Sequence, residues 1–135
     1  MLLEIFRSQS ILLIDYNANV REILQVCLSE IGGWDVISVA SFEEGLATLL
    51  TQKPDVIIMD NATPKIDSTK FIQRLKGNPL TQPIPILLIT DKASWYTPQH
   101  LRDMSVVGAI AKPFNPATLP VEICKLLGWH QPNKA

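Results

Sequence analysis

The chain has 135 residues, 47% of them hydrophobic and 19% charged, which is enough for one sizeable core and too few to suggest two domains. Its formal charge of -1 arises from 12 basic and 13 acidic residues without a block of one sign, so the composition favours no binding to nucleic acid or membrane. No apolar run approaches the roughly 20 residues of a membrane helix, and Glu4 and Arg7 interrupt the N-terminal stretch, so we expect a cytoplasmic protein.

Five short apolar runs have the length and the composition of β-strands. Most of them are rich in leucine or in β-branched residues, and they lack the polar alternation of half-buried strands. We therefore expect five strands, most of them buried on both faces. The runs are 11–14 (ILLI), 36–40 (VISVA), 56–59 (VIIM), 86–89 (ILLI) and 106–111 (VVGAIA).

A helix is predicted after each of these runs, because apolar residues recur there at helical spacing. The first helix is expected to end at Gly32-Gly33. The second fits a capping box, in which Ser41 accepts from first-turn amides and Glu44 reaches back. The apolar face of the first helix is predicted to comprise Val20, Ile23, Leu24, Cys27, Leu28 and Ile31.

The three later helices also carry start and stop signals. The third is predicted over 68–76, with Ser68 as a candidate N-cap and Gly77 as its end. Thr97-Pro98 and Asn115-Pro116 each place a capping side chain before a proline at the first helical position, so they predict the starts of the last two helices.

This alternation of strands and helices predicts an α/β fold, a flavodoxin-like (βα)5 doubly wound sandwich with a parallel five-stranded sheet in the order 2-1-3-4-5. We expect residues 11–129 to form the domain, with tails at 1–10 and 130–135. In such sheets, chemistry takes place outside the carboxyl ends of the strands, where the strand order reverses.

Four polar side chains follow or end strands at that edge: Asp15, Asp60, Thr90 and Lys112. Each of them alone has a simple structural explanation as a turn residue, a helix cap or a solvated charge. Together they would deliver two carboxylates, a hydroxyl and an ammonium group to one place. That combination suits a phosphoryl group beside a divalent cation.

The segments that carry these residues resemble the response-regulator receiver domains of two-component signalling, over nearly the whole span from Ile11 to Trp129. In this order and spacing the motifs are specific to that family. The matching motifs are ILLID at 11–15, PDVIIMD at 54–60 followed by Pro64 and Asp67, PILLIT at 85–90, and Lys112-Pro113-Phe114.

The resemblance implies a role for each site residue. Asp60 would be the phosphoacceptor, and Asp15, Asp60 and the backbone carbonyl of Ala62 would hold Mg²⁺. Thr90 would be the switch hydroxyl and Lys112 the basic partner of the phosphoryl group, with a cis Lys112-Pro113 bond. The implied partners are a sensor histidine kinase or histidine phosphotransfer protein and a downstream protein.

The chain departs from the family pattern at three positions. Tyr16 stands where a second acid is usual, which should weaken Mg²⁺ binding unless another oxygen replaces it. Asp91 is a neighbouring acid, but we expect its side chain to face solvent. Ala109 replaces a frequent switch aromatic, and Ser68 replaces a frequent glycine.

Several functional alternatives remain open from the sequence. A degenerate receiver would bind a partner without phosphorylation, and Tyr16 is the feature that supports this alternative. A haloacid-dehalogenase-type phosphatase would need a second aspartate at position 62, where the chain has Ala62. We expect a stand-alone receiver rather than an enzyme, and the residues leave open whether the chain forms a homodimer or is cut from a larger protein.

The remaining candidate residues have structural explanations. Cys27 and Cys124 show no metal-ligand or disulfide spacing, so we expect both to lie in the core. His100 and His130 are expected at the surface. Trp95-Tyr96 either forms part of a partner surface or packs on its own loop, and the second interpretation is favoured.

Overall fold

The computed structural model describes residues 9–60 and 65–130, with the backbone alone at 65–67. All five strands pair in parallel and form one sheet in the order β2-β1-β3-β4-β5, which confirms the predicted fold class. The strands are β1 (Ser10–Ile14), β2 (Asp35–Val39), β3 (Val56–Asp60), β4 (Ile86–Thr90) and β5 (Gly108–Ala111).

Burial differs between the central and the edge strands. The side chains of β3 and β4 are buried along their whole length, and β1 is buried after its first residue. β2 and β5 contain exposed or half-buried positions, because each has a strand on one side only. The prediction of strands buried on both faces is therefore confirmed for the three central strands alone.

Each strand is followed by a helix, as predicted. A π-helical turn, Cys27–Ile31, prolongs the first helix, and a 3-10 turn, Ala93–Trp95, precedes the fourth. The α-helices are α1 (Ala18–Val26), α2 (Phe42–Leu49), α3 (Lys65–Lys76), α4 (Pro98–Asp103) and α5 (Leu119–Leu127).

Two of the predicted helix starts are wrong. Ser68 lies inside α3 and is almost completely buried, so it packs as a helical residue and is not an N-cap. Asn115 instead organises a turn, in which its side chain accepts from the amide of Ala117. Helix α5 therefore begins later than predicted, at Leu119.

Two other cap predictions are confirmed at the residues named. Thr97 accepts from the amide of His100 and precedes Pro98, and the His100 ring accepts from the Thr97 amide to complete a capping box. At α2, Ser41 accepts from the Glu44 amide as predicted, but the Glu44 carboxylate accepts from the Ser41 hydroxyl instead of the Ser41 amide. Gly128, in the αL conformation at φ 71°, is the residue at which α5 ends.

The sheet separates two hydrophobic layers. One layer packs α1 and α5 against the sheet and contains Cys27, Cys124 and Trp34, so the prediction of two core cysteines is confirmed. The other layer packs α2 and α3 against the opposite face. Ile23 and Ile31 were predicted on the buried face of the first helix, but both are about half exposed. The stripe of apolar side chains by which this helix contacts the core is therefore narrower than predicted.

A tight turn between the π-helical segment and β2 depends on Gly32. A β-carbon at this position would lie 2.5 Å from the Trp34 ring and 2.6 Å from the backbone oxygen of Leu28. Trp34 is held in turn by an edge contact with Trp129, whose ring centroid lies 5.5 Å away. The turn therefore has no room for a side chain.

We expect Gly32→Ala to lower the free energy of unfolding by about 2–3 kcal/mol, since neither the backbone oxygen nor the packed ring can move without loss of contacts. Urea unfolding measures the change. Gly33→Asn is the matched control, because Gly33 has a φ of 73° and open space around it, and Asn tolerates that conformation. An equal loss in both variants would contradict the steric explanation.

Candidate functional site

The four polar residues predicted at the strand ends lie at one edge of the sheet. Asp60 and Thr90 are the last residues of β3 and β4, and Asp15 and Lys112 directly follow β1 and β5. The register aligns these ends, since Ile14 of β1 pairs with Met59 of β3. From β1 the chain passes first to β2 on one side and then to β3 on the other, so the site lies at the switch point.

Lys112 and Asp60 form an ion pair within this site. The Lys112 ammonium group contacts Oδ2 of Asp60, whose side chain is almost completely buried. The Lys112 amide also donates to the Thr90 carbonyl at 2.9 Å, which fixes the backbone from which the lysine extends. The Lys112-Pro113 peptide bond is cis, as the family resemblance implied.

Asp15 is fully buried and only partly satisfied by hydrogen bonds. Its Oδ1 accepts from the Asn17 amide at 2.9 Å, whereas its buried Oδ2 has no hydrogen-bond partner among the described residues. Burial raises the pKa of the Asp15 carboxyl group to about 6. The Asn17 hydrogen bond acts in the opposite direction, and the negative charge of Asp60 raises the pKa further.

Two residues that the sequence did not single out hold the Asp15 loop. Asn17 is the N-cap of α1, where its side-chain oxygen accepts from the backbone amide of Val20. The backbone amide of Asn17 donates to Oδ1 of Asp15. Arg21 donates from Nη1 to the Asp15 carbonyl at 2.7 Å. An Asn at the start of a helix is a recognisable cap signal, but no spacing rule predicts the contact made by Arg21.

Thr90 is buried, and its hydroxyl oxygen accepts from the Lys92 amide at 3.0 Å. The next side chain, Asp91, is exposed, as predicted. Tyr16 is also exposed, at 53% of its surface, and presents no carboxylate to the site. Ala109 is partly buried against the α2–α3 layer, so no aromatic ring occupies that position.

Some predicted site residues lie outside the described residues. They are Ala62, Pro64 and the side chain of Asp67. The use of the Ala62 carbonyl as a metal ligand therefore stays a prediction.

The donor atoms of the site suit a hard divalent cation. Two carboxylates, Asp15 and Asp60, meet at the strand ends, and the buried Asp15 Oδ2 is an oxygen acceptor to which no described residue donates. Mg²⁺ is bound in proteins through one or two carboxylates, with water completing its coordination. Among the described residues there is no cluster of three or more acidic, histidine or cysteine side chains that could hold a metal ion.

The chain matches a known protein family. The family model of the response regulator receiver domain matches residues 11–123. The chain belongs to this family, whose members are signalling domains of two-component systems. Within the part of the chain that the structure describes, no helix has both the length and the apolarity needed to cross a membrane.

Individual relatives agree with this assignment. The phosphate regulon transcriptional regulatory protein PhoB of Pseudomonas aeruginosa is 29% identical over 119 residues, which cover 88% of this chain and 52% of that protein. The alkaline phosphatase synthesis transcriptional regulatory protein PhoP of Bacillus subtilis is 29% identical over 120 residues, covering 89% and 49%. The chain spans about half the length of these curated relatives.

Solved structures show the same fold. The chemotaxis response regulator CheY4 of Vibrio cholerae superimposes with a TM-score of 0.78 at 26% identity, covering 89% of this chain and 99% of that one. A response regulator from Desulfuromonas acetoxidans gives a TM-score of 0.74 at 29% identity, covering 89% and 97%.

The raised pKa of Asp15 predicts a pH-dependent cost of the site. Above pH 6 the Asp15 carboxylate is charged in both the folded and the unfolded protein, and burial of that charge opposes folding. As the pH falls from about 6 towards 3.8, the folded state binds a proton before the unfolded state does, so the cost disappears. Asp15→Asn should therefore stabilise the protein by roughly 2 kcal/mol at pH 8 and hardly at all at pH 4.

Urea unfolding at pH 8, 6 and 4, with a chelator to remove divalent cations, measures this difference. Asp35→Asn is the matched control, because Asp35 is an exposed acid at the far end of β2. A stabilisation by Asp15→Asn that grows on acidification would contradict the assigned cause.

Proposed function

We propose that the chain is a phosphoacceptor receiver, in which Asp60 takes a phosphoryl group from the phosphohistidine of a sensor kinase or phosphotransfer protein. The observation that carries the proposal is the buried Asp60 carboxylate, which is ion-paired with Lys112 and lies beside Asp15 at the switch point. Membership of the receiver family supports the same role. The signal then passes to a partner protein.

The proposed reaction is a displacement at phosphorus. An Asp60 oxygen forms a bond to phosphorus while the bond from phosphorus to the donor imidazole nitrogen breaks, and the histidine leaves with its electron pair. Such transfers depend mainly on position and on charge neutralisation. Lys112, which already contacts Oδ2 of the Asp60 carboxylate, is suited to neutralise the negative charge of the group that arrives.

Asp15 and Asp60 would hold Mg²⁺, which when bound neutralises further phosphoryl charge. The buried Oδ2 of Asp15, to which no described residue donates a hydrogen bond, gives the ion a ligand whose desolvation cost the fold already bears. Arg21 and Asn17 hold the Asp15 loop in place by their contacts with its carbonyl and its Oδ1.

Thr90 is proposed to respond to the new group. An aspartyl phosphate adds about one and a half to two negative charges and strong acceptor oxygens. A hydroxyl that now accepts from the Lys92 amide can also donate its proton to such an oxygen. A change in the orientation of the Thr90 side chain would then act on the loop that follows β4, which contains Lys92.

The cytoplasm is the compartment that we propose for this activity. The two cysteines are buried free thiols, and neither takes part in a disulfide. Reduced thiols are the rule in that compartment.

The test of the phosphoacceptor role is chemical. We expect phosphoramidate with Mg²⁺ to add one phosphoryl group to the protein and Asp60→Asn to abolish the addition, because the acceptor oxygen is lost. Intact-mass spectrometry detects the adduct. Asp35→Asn, which removes an exposed acid far from the site, should leave the addition unchanged.

Absence of any adduct on the parent protein would favour a second candidate, a degenerate receiver that binds its partner without phosphorylation. Tyr16 supports this candidate, because it places an exposed phenol where the family usually has an acid. Both candidates share the fold and a protein partner, so the mass measurement separates them.

Metal affinity gives an independent prediction. We expect Tyr16→Asp to strengthen Mg²⁺ binding by about tenfold, since it restores a carboxylate beside Asp15. Calorimetric titration measures the dissociation constants. Tyr16→Asn is the matched control, because asparagine has nearly the same shape as aspartate but carries no charge. Equal affinities for the two variants would show that other oxygens already complete the site.

A further inference from the structure

A cavity of about 360 Å³ lies between the start of α3 and the segment that follows β4. Trp95, Tyr96, Asp103 and Met104 line it on one side, and the α3 residue Thr69 on the other. The sequence favoured a Trp95-Tyr96 pair packed on its own loop. Tyr96 packs against the core instead, whereas Trp95 is 68% exposed and contacts its own loop at the Lys92 ammonium group.

The chemistry of the walls favours a cation. The Trp95 ring already attracts one, since the Lys92 ammonium nitrogen lies 4.6 Å from its centroid. Asp103 adds an exposed carboxylate, which accepts from the Gln99 amide group at 2.7 Å and keeps further acceptor capacity. Asp103 is the one acid among the lining side chains that the structure describes, and these include neither lysine nor arginine, although His100 also lines the cavity and its ring accepts from the Thr97 amide.

We infer that this cavity is a recognition site for a basic side chain, an arginine above all, presented by the partner protein. A guanidinium group can lie flat against the Trp95 ring while it donates to the Asp103 carboxylate. The methionine and tyrosine walls suit the apolar stem of such a side chain. Tryptophan is also enriched among the residues that contribute most of the binding energy at protein interfaces.

Lys92 links this cavity to the strand-end site. Its ammonium group opposes a second cation at the Trp95 ring, and its amide donates to the Thr90 hydroxyl. If Thr90 turns towards a phosphoryl group on Asp60, the Lys92 amide loses this acceptor and the lysine is less firmly held beside the ring. This coupling rests on the proposed function, and it makes the cavity a better cation site after phosphorylation.

The experiment uses two capped tripeptides as probes, Gly-Arg-Gly and Gly-citrulline-Gly, which differ by the charge of one side chain. The indole NH resonances of the full chain are followed by nuclear magnetic resonance, and Trp95→Leu identifies the Trp95 signal. We expect saturable binding of the arginine peptide with a dissociation constant on the order of millimolar. Equal binding of the citrulline peptide, or none of either, would overturn the proposal.

Three exposed substitutions sharpen the test without touching the strand-end carboxylates. Asp103→Asn should weaken binding of the arginine peptide by about threefold or more, and Lys92→Gln should strengthen it by about threefold. Asp35→Asn, an exposed acid at the opposite edge of the sheet, should have no effect. Unchanged affinity in both of the first two variants would overturn the assignment of the cavity.

The coupling is tested after phosphoramidate treatment, with the adduct counted by mass spectrometry in the same sample. We expect the modified protein to bind the arginine peptide at least about twofold more tightly. An adduct without a change in affinity would overturn the coupling and leave the phosphoacceptor role intact. Failure to form any adduct would overturn both the coupling and the phosphoacceptor role. Binding of the arginine peptide by the unmodified protein is tested independently of that result.

Discussion

Two buried carboxylates at one edge of a parallel sheet are the constraint on which the rest of this molecule depends. Asp15 and Asp60 are held out of water at the ends of β1 and β3, where like charges repel and burial disfavours ionisation. Lys112 compensates part of this cost from the end of β5, and the parallel pairing of the strands brings all three residues to one edge of the sheet. The site is therefore a place where burial of charge lowers the stability of the fold, and under the proposed function a cation or a phosphoryl group that binds there would raise it.

This constraint explains how the surrounding loops are built. The Asp15 loop is fixed from the start of α1 by Asn17 and Arg21, and the β4 loop is fixed by the hydrogen bond from the Lys92 amide to Thr90. Both loops are short and are held by a few directional bonds. Under the proposed function, added charge at Asp60 would act on the surrounding loops through these few bonds.

The sequence was sufficient to predict the sheet order and the strand ends, because central parallel strands are continuous apolar runs and polar residues interrupt them at one edge. It was insufficient where a choice depended on tertiary packing. Ser68 looked like a cap but packs inside α3, and Ile31 looked like a core residue but is half exposed at the end of the π-helical turn. Arg21 reaches Asp15 across a loop, and no local pattern encodes that contact.

Tyr16 has an evolutionary consequence. Its side chain is half exposed and belongs to neither hydrophobic layer, so the fold tolerates many residues at this position. A substitution at position 16 therefore changes the charge beside Asp15, and with it the affinity of the proposed metal site, without disturbing the packing of either layer. Two proteins with this same backbone would then differ at that proposed site by a single exposed side chain.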